Sequence, residues 1–220
     1  MWQIFQNGGP VMYPLLACSV IVVTIVIERF FFWARVSYER DQRLLGEVLE
    51  LSQRGEWAAV RDKVGRSRDY VIRILVIGIL HREFSMSKAM ESAAGDEIKQ
   101  MRQYMKAMDT MITVAPLLGI FGTVLGIISS FEMLGAAGIE HPELVTGGIA
   151  QALITTASGL GIAIFTVFPY NYFNSRVEEA TLTIEKYATS LEIVYEKLSA
   201  PECASSEVAP GVTTDTPVQV

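Results

Sequence analysis

Three long blocks of this 220-residue chain lack charge: Met1 to Ile27, Thr110 to Phe131 and Leu144 to Ser175 contain no Asp, Glu, Lys or Arg. Each is long enough to cross the roughly 30 Å of bilayer hydrocarbon as a helix, which excludes an ordinary soluble domain. There are only two cysteines. Cys18 lies in the first block and Cys203 in the far tail, which excludes a disulfide framework and any cysteine metal spacing. The two histidines, His81 and His141, fall on opposite sides of a membrane in this reading and have no neighbouring ligands, so no metal site is expected. Basic excess is absent as well: the net charge of −6 argues against a nucleic-acid partner. There is no Gly-rich phosphate loop and no Ser/His/Asp set. No enzyme and no cofactor are expected.

The charges that are present give an orientation. All 18 Lys and Arg lie at Arg29, between Arg35 and Lys106, or from Arg176 onward. The positive-inside rule then puts the segment from Arg35 to Lys106 and the C-terminus in the cytoplasm, and the N-terminus and the Glu132–Glu143 connector outside. No basic region precedes the first apolar block, so that block reads as an uncleaved anchor. The expected fold is an all-α integral membrane protein with three transmembrane helices. Its second and third helices extend far into the cytoplasm, and a helical cytoplasmic insertion separates the first from the second. The expected boundaries are 1–33 for an outer segment and the first span, 34–109 for the insertion and 110–134 for the second span. An outer connector at 135–145 follows, then the third span with its extension at 146–199 and a Pro/Ser/Thr-rich disordered tail at 200–220. Within the insertion, Leu44, Leu45, Val48, Leu49 and Leu51 mark a helix stopped near Gly55. Tyr70 to Leu80 is too short to span and reads as a buried helix. Glu28-Arg29, followed by Phe30 to Trp33, reads as charge snorkelling to the inner interface.

Two periodic stripes carry the packing. Ile98, Met101, Met105, Met108 and Ile112 recur at alternating steps of three and four, and the register continues as Ala115, Gly119, Gly122, Gly126 and Ser129. The stripe changes from bulky to small where charged sequence gives way to uncharged sequence. In water helices associate by burying bulk, whereas in lipid they rely on close backbone approach. One rod from Ile98 to Phe131 would be about 50 Å long, with Pro116 kinking or loosening it. In the third block Gly148, Gln151, Thr155 and Ser158 share a face, with Ala152, Thr156, Gly159 and Ala163 beside them. This flank must meet protein or water, because lipid offers a hydroxyl or an amide no partner. Leu153, Ala157, Leu160, Ile164 and Val167 form the expected lipid face. Beyond the block, Val177, Ala180, Ile184, Tyr187, Leu191, Val194 and Leu198 form the second stripe.

Ala115 to Gly126, with its Gly-Thr-Val-x-Gly core, and Gly148 to Asn171, taken with Ile27-Glu28-Arg29, resemble the MotA/TolQ/ExbB proton-channel family, closest to its ExbB/TolQ branch. The likeness covers nearly the whole chain except the tail. It implies a motor subunit of the bacterial inner membrane, a homopentamer whose second and third spans line a central pore. A single-span ExbD/TolR-type partner carrying a membrane aspartate would sit in that pore, with a TonB/TolA-type energy transducer beyond it. By position it implies Thr123 and Thr156 as pore-lining residues, with Gln151, Thr155 and Ser158 on the same pathway. Gly119, Gly122, Gly126, Gly148 and Gly159 would be the packing positions. The family often has a glutamate where this chain has Gln151. The second and third uncharged blocks therefore offer no carboxylate, Lys, Arg or His to carry a proton. A scaffold that binds a partner helix without conducting is the alternative. A four-span stator subunit is disfavoured by the three blocks.

Overall fold

The computed structural model describes residues 8–64, 67–137 and 142–199. Those residues form an all-helical chain with no strand: α1 (Met12–Tyr38), α2 (Gln42–Gln53), α3 (Trp57–Val64), α4 (Tyr70–Leu80), α5 (Met86–Met101), α6 (Met105–Ala137) and α7 (Pro142–Ser199). Three stretches are long and apolar enough to cross a membrane, and they correspond to the three uncharged blocks. Most of the expected outer N-terminal segment, the disordered tail, Cys203 and His141 lie outside the described residues.

The long helices pack as a pair with a third laid against them. α6 and α7 make the most extensive contact in the chain, and α1 touches both. The 58 residues of α7 would measure about 87 Å as a straight helix. Pro116 lies within α6 and Pro169 within α7, and neither ends its helix.

The short helices are placed by their caps. Asp41 caps α2, accepting from the backbone N–H groups of Arg43 and Leu44 at 3.1 Å. Gly55, at a φ of +73°, turns the chain after it. Asp69 is buried and caps α4 through Val71 N–H at 2.8 Å; its second oxygen accepts from Asp41 N–H at 3.0 Å, tying the starts of the two helices together. α4 is the short buried helix expected, with Ile72, Ile74 and Leu75 fully enclosed.

Bulk sits in the charge-bearing half of the molecule. There Trp33, Leu45, Val48, Leu75, Met101, Met108, Val177, Ile184 and Leu191 belong to one continuous core. The second stripe is buried or half-buried through Val194, and only Leu198 is exposed.

Four expectations need correction. The stripe from Ile98 onward does face inward, but not on one rod. The helix breaks at Arg102–Tyr104, where Tyr104 has a φ of +64°, and restarts at Met105. The first stripe also drifts. Gly126 is buried, but Ser129 is exposed and Ser130 takes the inward place, because a helix of 3.6 residues per turn slips about 20° per heptad against a 3.5 repeat. Arg29 does not snorkel. It is 1% exposed, and its Nε and Nη2 bind Glu28 at 2.5 and 2.7 Å. Its Nη1 donates to the carbonyls of Gln100 and Met101 at 3.2 and 3.3 Å, and its guanidinium lies 4.4 Å from the Phe32 ring centre. The arginine thus adds a charged donor to the carbonyls at the end of α5, right at the break, where the Gln100 carbonyl also accepts from Gln103 N–H at 3.2 Å. Finally, α1 runs on to Tyr38, α6 reaches Ala137 and α7 starts at Pro142, so the helices consume most of the expected 135–145 connector.

Candidate functional site: the seam between α6 and α7

Through the uncharged sequence, α6 and α7 meet backbone to backbone. A Cβ added at Gly119 would lie 3.0 Å from Thr156 Cα and 3.1 Å from the Thr155 carbonyl oxygen. One added at Gly126 would lie 2.9 Å from Ala152 Cβ and 3.1 Å from the Gly148 carbonyl oxygen. Gly122 faces Thr155, Gly148 faces Ser130, and Gly159 faces the Ala115 carbonyl and the backbone of Gly119. All five glycines therefore sit where a side chain would push the helices apart. This is how helices pack where burying bulk gives no driving force.

The seam brings two hydroxyls together. Thr123 Oγ1 on α6 and Thr156 Oγ1 on α7 are in direct hydrogen-bond contact. Each also lies 3.0 Å from the Gly119 carbonyl oxygen. Two hydroxyl protons thus serve three contacts. Both can point at the carbonyl, or one can point at the other hydroxyl. If Thr156 donates to Thr123, the Thr123 proton is released to turn elsewhere. Both residues are half-buried, so one side of the pair opens off the edge of the helix couple.

The other expected pathway residues part company here. Thr155 is 1% exposed, tucked under Gly122, with its hydroxyl donating to the Ala152 carbonyl at 2.7 Å. Ser158 bonds the Ile154 carbonyl at 2.8 Å and borders a shallow groove with Met12, Leu15, Leu16, Ser19 and Ile162. Gln151 turns its amide onto Gly9, which leads into α1 and has a φ of +70°. Gln151 and Ser158 therefore face the first helix of the same chain, while Thr123 and Thr156 meet on a flank. Leu153, Ala157, Leu160 and Ile164 are exposed along the opposite side.

Two inward hydroxyls were missed in the sequence. Ser130 bonds the Gly126 carbonyl at 2.8 Å beneath Gly148, and Thr166 bonds the Ile162 carbonyl at 2.6 Å and is fully buried. Ser130 was findable from the drift of the heptad. Thr166 lies seven residues beyond Gly159 and three beyond Ala163, so it continues the small-residue flank of the third block by helical spacing. Among the described residues, no group of His, Cys, Asp or Glu is arranged to hold a metal.

Known proteins share this chain's pattern. Residues 73–186, from within α4 to Lys186 in the last quarter of α7, match the MotA/TolQ/ExbB proton channel family. The biopolymer transport protein ExbB-like 3 of Synechocystis sp. is 33% identical over 197 residues, covering 86% of this chain and 92% of that protein. The ExbB-like 1 protein of the same organism is 32% identical, covering 88% of this chain and 78% of its own length. The Tol-Pal system protein TolQ of Pseudomonas aeruginosa is 28% identical, covering 86% and 88%. The three apolar helices, the glycine seam carrying paired threonines and these likenesses converge: the chain belongs to the MotA/TolQ/ExbB proton channel family.

Proposed function

We propose that this chain is the channel-forming subunit of an inner-membrane motor that couples the proton motive force to work at the outer membrane. In this reading five copies form a ring, and the Thr123/Thr156 flank of each faces a central lumen. A single-span ExbD/TolR-type partner with a membrane carboxylate occupies that lumen, and a TonB/TolA-type transducer receives the motion. The reading places the N-terminus in the periplasm and the C-terminus in the cytoplasm, supported by the clustering of Lys and Arg on one side of the spans.

The observation that carries the reading is the threonine pair around the Gly119 carbonyl. The two helices contain no ionisable side chain from Thr110 to Phe131 or from Leu144 to Ser175 other than the phenols of Tyr170 and Tyr172, so the chain does not hand a proton along by itself. It supplies hydroxyls that donate or accept by rotation. With Thr156 donating to Thr123, Thr123 donates outward and stabilises the partner's carboxylate. With the protons turned onto Gly119, the same oxygens accept from the protonated acid. A proton crossing 100 mV releases about 2.3 kcal/mol, enough to bias a two-state movement when several cross per cycle.

The test is co-reconstitution with the partner in vesicles under an imposed potential, with proton uptake as the readout. Thr123→Val and Thr156→Val each abolish uptake while the complex still assembles, and Thr→Ser at either site restores it. Uptake unchanged in both valine variants sinks the relay role. A second reading, a scaffold that grips a partner helix without conducting, draws on Gln151. That side chain does not ionise and is turned toward Gly9. Under that reading the wild-type complex assembles and passes no protons.

A further inference from the structure

Three residues with a buried, unpartnered donor line one cavity where α1 leaves its apolar stretch beside α7. Trp33 Nε1, Arg40 Nε and Arg176 Nε are shut off from solvent, and none has a hydrogen-bond acceptor among the described residues. They are the only buried side-chain polar atoms in that condition among the described residues. All three residues line one cavity of about 30 Å³, which Tyr70 and Glu179 also border. Trp33 is 6% exposed, and the Arg176 guanidinium lies 5.6 Å from its ring centre. Each of the two nearby acids holds a partner other than these three nitrogens. Glu179 accepts from Arg176 Nη1 at 2.7 Å, and Asp69 accepts from the backbone N–H groups of Asp41 and Val71.

An orphaned buried donor costs about 1–3 kcal/mol, so three at one place mark an unfilled demand for an acceptor. A single water accepts two hydrogen bonds and brings two O–H groups that need acceptors of their own. An anion accepts from all three and donates nothing. A cavity needs about 10–15 Å³ to hold one water-sized sphere. This one therefore suits a monatomic ion or a single phosphoryl oxygen rather than a whole phosphate.

We propose that the cavity is a single-anion site, filled by a halide ion or by one oxygen of a lipid phosphate, that fastens the Trp33–Arg40 end of α1 to Arg176 of α7. The halide form is independent of the channel reading. The lipid form rests on this level of the molecule lying at the inner membrane surface.

The test uses the full-length protein in detergent, delipidated, with thermal unfolding followed as chloride or bromide replaces gluconate at constant ionic strength. A second arm uses gluconate throughout and compares nanodiscs of phosphatidylcholine with and without phosphatidylglycerol. The expected result is a saturable rise in unfolding temperature with halide, with phosphatidylglycerol, or with both, which names the source. Arg40→Gln and Trp33→Phe weaken the apparent affinity by about tenfold or more, the loss of one hydrogen bond to a charged partner. Should a variant fail to fold, the anomalous bromide signal of the wild type, within hydrogen-bond distance of the three nitrogens, decides. Unfolding temperatures that are the same in every medium, or a halide response that both variants retain in full, overturn the proposal.

Discussion

Helices α6 and α7 are joined in two different ways along one seam. In the charge-bearing half Met105, Met108, Val177, Ala180 and Ile184 are buried in a bulky core that also includes Leu45, Leu75 and Met101. In the uncharged half the contact is made by Gly119, Gly122, Gly126, Gly148, Ala152 and Gly159, with backbone atoms touching. The same pair of helices is thus held by removing apolar surface from water at one end and by close approach and hydroxyl bonds at the other. The lesson is local. What fills a seam depends on what surrounds it, and only the small-residue half leaves room for hydroxyls to meet across it.

The two halves should therefore fail to opposite changes. Enlarging the small half should do the most harm. Gly119→Leu has to displace the backbone of Thr155 and Thr156, and the expected result is loss of the assembled complex on size-exclusion chromatography of the solubilised membrane. Shrinking the bulky half should come next: Leu191→Ala, at a fully buried position, should lower stability by about 2–5 kcal/mol in denaturant unfolding. At the junction, Arg29→Met removes the guanidinium's hydrogen bonds to the Gln100 and Met101 carbonyls and should lower stability by about 1.5–3 kcal/mol. Arg29→Lys should not restore it fully, because a lysine cannot reproduce the fork. The smallest expected change is at Gly46 in α2, where an added Cβ meets nothing within 4 Å. Gly46→Ala should raise stability by about 0.5–1 kcal/mol, and a loss there would mean that glycines outside the seam also make packing contacts.

Tyr70 adds a pH arm to the bulky half. Burial raises its phenol above the usual range; the Arg40 and Arg176 charges oppose the shift, and the Asp69 and Glu179 charges support it. A phenol raised in the folded state supports the fold below its unfolded pKa and withdraws that support as pH rises through the folded value. Alkaline unfolding above about pH 10 should therefore be delayed in Tyr70→Phe.

Much of this was readable in advance because patterning follows solvent. The three apolar helices follow from missing charge, α4 from its length, and both stripes from their spacing. The features that escaped depend on distant contacts. Arg29 is held by carbonyls more than seventy positions away, and nothing around it in sequence announces them. The break at Tyr104 has neither Gly nor Pro to signal it, and a tyrosine at positive φ is an unusual choice. Helical spacing put Gln151, Thr155 and Ser158 on one flank, but it left unsaid that α1 would cover part of that flank, drawing Gln151 to Gly9 and Ser158 to Leu15.

The central claim is that the threonine flank faces water in the assembled ring while the leucine flank faces lipid. Thiol labelling in native membranes tests it directly, in a Cys18→Ala, Cys203→Ser background with single cysteines placed by Thr156→Cys or Leu153→Cys. The account predicts that a membrane-impermeant, water-soluble reagent modifies the cysteine at 156 and spares the one at 153. Labelling at 153 with protection at 156 would contradict it.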